Sequence, residues 1–224
     1  MAGVMTFAEF QSELFYELGN DTETDGYRGD WVNRAYRTLT TQDKFFGKDI
    51  QLYFPELETF STDTTADGTL SVSTPSDAHF VRAIWESSSD VKMINISWRD
   101  YVERTGRGTE GARGAPTLWT RRGGNIYFYP TPDGAYGLTI YYKKHIDEMT
   151  ANADTTEIGE EWDESILKLA VIQSMYRRKR YADAEKEEGI FLNMVSGVAS
   201  AHNHEAEDRE SRRYPDQSWM SNEY

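Results

Sequence analysis

What most constrains this chain is a change of hydrophobic period, from 3.6 residues to 2 and back again. Near the N-terminus Phe7, Phe10, Leu14 and Leu18 recur at helical intervals, which makes one stripe of an amphipathic helix. Thr6 and Glu9 ahead of it have the spacing of a capping box, and Gly19 ends it. After a loop with Asp21, Glu23 and Asp25, the run "DWVNRAYRTL" offers Asp30 as an N-cap and sets Trp31, Ala35 and Leu39 on one face. From about Ile50 to Tyr142 the period falls to 2. The segments "QLYF", "TLSVS", "FVRAIW", "VKMINIS", "TLWTR", "NIYFY" and "GLTIYY" are short and rich in β-branched and aromatic residues, with turn residues such as Asp67-Gly68 and Thr74-Pro75 between them. Beyond the polar stretch "DEMTANADTTEIGEE" helical spacing returns. Trp162 and Leu167 stand at staple positions around a cap at Asp163, and Ile166, Leu169, Ala170 and Gln173 continue the inward face. A last helix from around Ala182 carries Phe191, Val195, Val198 and His202.

An amphipathic stripe has to be buried against another element, so helices at both ends of a β centre predict an α+β chain with an insertion. The expected division is a four-helix bundle from residues 1–49 and 155–212, an inserted antiparallel β-sandwich or barrel over 50–150, and an extended C-terminal tail over 213–224. The clearest hairpin is "NIYFYPTPDGAYGLTIYY", with Ile126 and Phe128 on one side, Tyr127 and Tyr129 on the other, and Pro132-Asp133-Gly134 as its turn. The segment "YPDQSWMSNEY" has no period, yet Tyr214, Trp219, Met220 and Tyr224 are side-chain types that anchor interfaces. It reads either as a disordered tail or as a tail that orders on a partner.

Composition removes several function classes. With no cysteine there are no disulfides, thiolate metal sites or cysteine nucleophile. The first twenty residues carry Glu9, Glu13 and Glu17 and no basic residue, and no apolar run approaches membrane-spanning length, so the chain is expected in the cytoplasm when made, with no membrane partner. Against 24 basic residues stand 38 acidic ones, a net charge of −14, so attraction to nucleic acid phosphates is not its main binding force. Charge is uneven, however: between Arg99 and Arg122 six arginines face Asp100, Glu103 and Glu110.

That basic stretch includes "TGRGTEGARGAP", whose Gly106, Gly108 and Gly111 match the phosphate-cradling pattern G-x-G-x-x-G. The chemistry needs a strand entering the first glycine and a helix leaving the last. Here "SWRDYVERT" enters as a short helix capped by Ser97, and Pro116 blocks a helix on exit, so no nucleotide or other cofactor is expected. His202 and His204, two apart on a helix, point to different faces, and His145 follows Lys143 and Lys144 at a strand end; with His79 they form no metal site. No nucleophile elbow or zinc-protease helix is present, and nothing selects a pair among the many carboxylates, so the chain is read as a non-enzyme with neither catalytic nor metal residues. A β-sandwich mounted on helices, with tyrosines on both strand faces, could also be a ligand- or glycan-binding module.

The helix "WVNRAYRTL", the segment "GAPTLWTRRGGNIYFYPTPDGAYGLTIYY" and the later "WDESILKLAVIQSMYRRKRYADAEK" together resemble the head-to-tail adaptor, or connector, proteins of tailed bacteriophages. The likeness spans roughly Tyr27 to Val195. It implies a structural virion protein of the neck, assembled as a ring of about twelve copies beneath the portal protein. Such a ring extends the DNA channel and offers a platform to tail or nozzle proteins, with genomic DNA only as passing cargo. On this resemblance Tyr214, Trp219, Met220 and Tyr224 dock on the portal, and the loop with Arg107 and Arg113 touches a neighbouring subunit or a tail protein. An acidic channel wall suits the role, because it repels DNA rather than gripping it.

Overall fold

A computed structural model describes residues 4–24, 26–50, 52–106 and 111–213, with side chains as far as Ser200. Among the described residues lie helices α1 (Phe7–Glu17), α2 (Arg28–Thr41), α3 (Trp98–Thr105), α4 (Asp163–Arg177) and α5 (Tyr181–Arg213). The strands are β1 (Lys44–Phe45), β2 (Lys48–Asp49), β3 (Glu58–Thr64), β4 (Ser71–Ser73), β5 (Ala78–Glu86), β6 (Val91–Lys92), β7 (Ile94–Asn95), β8 (Leu118–Arg122), β9 (Asn125–Tyr129) and β10 (Gly137–Lys144). The fold is mixed α+β. The chain divides into two compact units, Met1–Glu56 with Ile146–Tyr224, and Leu57–His145.

In the helical unit α1 starts as its sequence dictates. Thr6 Oγ1 accepts the Glu9 N–H at 3.4 Å, and Glu9 Oε2 accepts the Thr6 N–H at 2.7 Å, which closes the capping box. Helix α2 begins earlier than its sequence suggests. Tyr27 is the N-cap residue, without a side-chain bond, and Asp30 sits inside the first turn, where its charge still favours the helix dipole. The expected staple at α4 is likewise corrected: Trp162 ends a short 3₁₀ turn and takes the N-cap position, and Asp163 is helical. Its carboxylate is drawn to remote donors, the Met5 N–H at 2.7 Å and the Thr156 hydroxyl at 3.2 Å, so it does not cap its own helix. Helix α4 packs on α1, α2 and α5, and α1 on α2. Their buried faces include Phe10, Leu14, Val32, Tyr36, Leu39, Ile166, Ala170, Ile172, Phe191 and Val195. Burying a large apolar side chain of this kind stabilises by ~1.5–3 kcal/mol. Where α2 meets α1 a Cβ on Gly29 would stand 2.8 Å from Phe7 Cζ, so the approach depends on a residue without one.

The polar stretch before α4 is laced to these helices by hydrogen bonds. Phe7 and Ala8 donate their N–H groups to the Asp154 and Asn152 carbonyls at 2.7 and 3.1 Å, and Tyr36 Oη accepts the Glu157 N–H at 2.7 Å. Trp162 meets Phe54 at 5.0 Å between ring centroids. The strand expected from "QLYF" is not found at its described residues: Leu52, Tyr53 and Phe54 lie outside any strand, and Phe54 is buried.

The second unit holds two four-stranded sheets, β3-β10-β5-β6 and β4-β9-β8-β7, and neither closes into a barrel. All their pairings are antiparallel except that of β7 with β8. The sequence-based hairpin of β9 with β10 does not form, because the two strands belong to different sheets. Tyr129 pairs with Leu118 and Gly137 with Thr64, while "PTPDGAY" crosses between them. Pro130 and Pro132 lack the N–H groups a ladder needs, so this connection cannot continue a strand pair. The tight hairpin is instead β8–β9, where Gly123 and Gly124 take φ of +59° and +81° in a two-residue loop. The expected strand "VKMINIS" splits at buried Met93, with β6 joining one sheet and β7 the other. Both sheets feed one apolar cluster, Val81, Ile84, Leu138 and Ile140 from the first and Trp119, Ile126 and Phe128 from the second.

Candidate functional site

Helix α3 lies against β8 and carries aromatic and cationic side chains. Ser97 Oγ accepts the Asp100 N–H at 3.1 Å to start the helix, and Gly106, at φ +62°, ends it with a left-handed cap. Because Ile126 and Phe128 point into the core, alternation along β9 turns Tyr127 and Tyr129 to the other face. Trp98 stacks on Tyr101 at 5.2 Å and meets Tyr127 edge-on at 5.1 Å. The Arg122 guanidinium lies 4.3 Å from the Trp98 centroid, and that of Arg104 lies 6.0 Å from Tyr129. Tyr101 is buried, burial pushes its hydroxyl pKa up, and that hydroxyl has no hydrogen-bond partner among the described residues.

The remaining arginines of this basic stretch have separate fates. Arg99 pairs with Glu103 at 3.1 Å on the exposed side of α3, and Arg121 donates to the His79 carbonyl at 2.8 Å. Arg113 is exposed, bridges to Thr131 through its backbone and pairs with Asp67. Arg107 lies outside the described residues, as do Tyr214, Trp219, Met220 and Tyr224. Gly106 follows a helix rather than a strand, which is the reverse of what a phosphate cradle requires.

The rings of His79 and His145 stand 4.7 Å apart, and among the described residues no group of three or more His, Asp or Glu could hold a metal. No described helix is long and apolar enough to cross a membrane. On the outer face of the β3-β10-β5-β6 sheet Phe60 and Tyr141 pair across strands at 5.9 Å, and both are exposed, as is Phe80.

The helical unit adds a feature that sequence reading passed over. Trp31 and Arg34 of α2 and Gln173, Tyr176 and Arg177 of α4 line an open groove of about 460 Å³. Its signal was present: Arg34 follows Trp31 by three residues and so shares its face of the helix, where a cation beside an apolar stripe marks a wet rim. Both units present aromatic rings beside arginines, at α3 and along the groove of α2 and α4. No curated protein matches the chain. The sequence profile of the SU10 adaptor protein family matches residues 5–218, taking in the helical ends and the β unit between them, and the chain belongs to that family of phage head-to-tail adaptors.

Proposed function

We propose that the chain is a structural adaptor that assembles as a ring beneath the portal of a tailed phage, extends the DNA channel and presents a platform to tail proteins. The observation that carries this reading is the family match over residues 5–218. An adaptor of this family is a structural component of the phage particle and associates with other head and tail components.

The finer assignments follow from it. Helices α1, α2, α4 and α5 act as a four-helix bundle, and the two sheets face one another as a sandwich over their common cluster. The functional division is residues 1–49 with 155–212, residues 50–150, and the tail 213–224. Tyr214, Trp219, Met220 and Tyr224 dock on the portal, while Arg107 and Arg113 meet a neighbouring subunit or a tail protein. A net charge of −14 per copy supports a channel lining that lets DNA pass.

Because α5 runs to Arg213, the discriminating truncation removes Tyr214 to Tyr224 and leaves every described helical residue in place. The truncated chain keeps its circular dichroism and loses binding to the portal; unimpaired binding contradicts the docking assignment.

A further inference from the structure

We infer that the groove between α2 and α4 seats the outward acidic face of α1 from a second copy of this chain. The inference rests on the ring reading and names the contact that would build it.

The groove holds two arginines on a chain of net charge −14, and the hydroxyl of Tyr176 on its wall donates to Glu188. The neighbouring arginines are engaged: Arg37 pairs with Glu148, Arg178 with Asp21, and Arg180 with Asp183. Arg34 and Arg177, which line the groove, have no ion-pair partner among the described residues. Between them Trp31 and Tyr176 supply aromatic walls, and the buried Oε1 of Gln173 has no hydrogen-bond donor among the described residues. Two guanidiniums around an aromatic hollow fit a surface that offers carboxylates and an aromatic ring.

Such a surface lies on the same unit. Glu13, Tyr16 and Glu17 are exposed on α1, with Tyr16 at 64%. Glu13 has no ion-pair partner among the described residues, and Glu17 has only Lys168 at 3.9 Å. The stripe cannot fill its own groove. On α2 the residues against α1 include Arg28, which donates to the Gln11 carbonyl at 3.4 Å, and Gly29, beside Phe7. At 3.6 residues per turn Arg34 stands about 120° and 140° around the helix from these two, on the far side, while Trp31 stands about 60° from Arg28 and 160° from Gly29. Groove and stripe are therefore different surfaces of one unit, and joining them between copies gives a head-to-tail contact, the kind that closes into a ring.

The chain has no cysteine, so introduced thiols are the only ones on it. Particles assembled with the double variant Glu13→Cys/Arg34→Cys, treated with a short bismaleimide, yield a ladder of covalent oligomers, and either single variant yields monomer alone. Unlinked chains in particles that do contain the double variant overturn the inference and leave the ring reading standing, as do dimers from Arg34→Cys alone. Wild-type particles with a single copy of the chain defeat the ring reading itself. A charge swap gives an independent readout: Arg34→Glu/Arg177→Glu lowers incorporation at least tenfold, and adding Glu13→Arg/Glu17→Arg restores it. If the four-fold variant folds by circular dichroism but is not incorporated, the pairing is wrong.

Discussion

The side-chain amide of Asn33 donates to the Met149 carbonyl at 2.8 Å and accepts the Met149 N–H at 3.0 Å, so one residue of α2 satisfies both backbone groups of a residue 116 positions later. It imitates one rung of a β-ladder at the point where the chain returns from the β unit. Asn33→Ala strands both groups in a partly buried site and costs ~1–3 kcal/mol. Asn33→Asp sets a carboxylate against a carbonyl and loses stability as well. A urea midpoint for Asn33→Ala equal to that of the wild type, at unchanged m-value, contradicts this role.

The hairpin of β8 and β9 depends on Gly123 and Gly124, both left-handed. Replacing both by alanine costs ~1–2 kcal/mol per residue, whereas Asn-Gly at the same sites stays close to wild type. Thermal melting of the two variants separates a backbone requirement from a loss of packing. Equal melting temperatures would show that the turn is not under this constraint.

Two buried carboxyls give pH dependences of opposite sign. Glu86 accepts the N–H and hydroxyl groups of both Ser88 and Ser89, which pull its pKa from 4.5 to about 2. Its folded value lies below its unfolded one, so its contribution is present above pH 4.5 and is lost as pH falls toward about 2. Asp163 is raised above 3.8, chiefly by burial, so the unfolded chain releases that proton first and stability declines as pH rises through the folded value. Glu86→Gln therefore flattens the acid limb of the stability profile, and Asp163→Asn removes the opposing slope. Both are read from denaturant midpoints between pH 2 and 6.

The surface at α3 is held by its aromatic stack more than by its cations. Arg122→Ala removes a cation–π contact worth ~0.5–1 kcal/mol, while Trp98→Ala removes the ring that Arg122, Tyr101 and Tyr127 all touch and costs ~3 kcal/mol. Near-equal losses for the two variants would mean that the arginine, not the ring, organises the surface.

How far the sequence could be read depends on whether the determining contact is local. The capping box at Thr6, the Ser97 cap and the inward face of β9 rest on neighbours within four residues, and each is formed. Long-range partners decided what was misread. Asp163 resembles a cap by spacing, but donors from Met5 and Thr156 take its carboxylate. Turn residues at Pro132-Asp133-Gly134 imply a hairpin only if the flanking strands share a sheet, and they do not. Gly123-Gly124 is the stronger hairpin signal, because a two-residue glycine loop tolerates the left-handed backbone such a turn needs. The edge strand β3, "ETFSTDT", is polar and mostly solvated, so it carries no apolar alternation to find. The groove joins α2 to α4 across more than a hundred residues, beyond any local pattern.

The central claim is that this chain builds a ring on the portal. Mixing the purified full-length chain with its portal and imaging the product by electron cryomicroscopy tests it directly. The account predicts a closed ring of copies seated beneath the portal, with the channel continuing through it. Free chains beside an undecorated portal, or copies bound away from the channel axis, would contradict it.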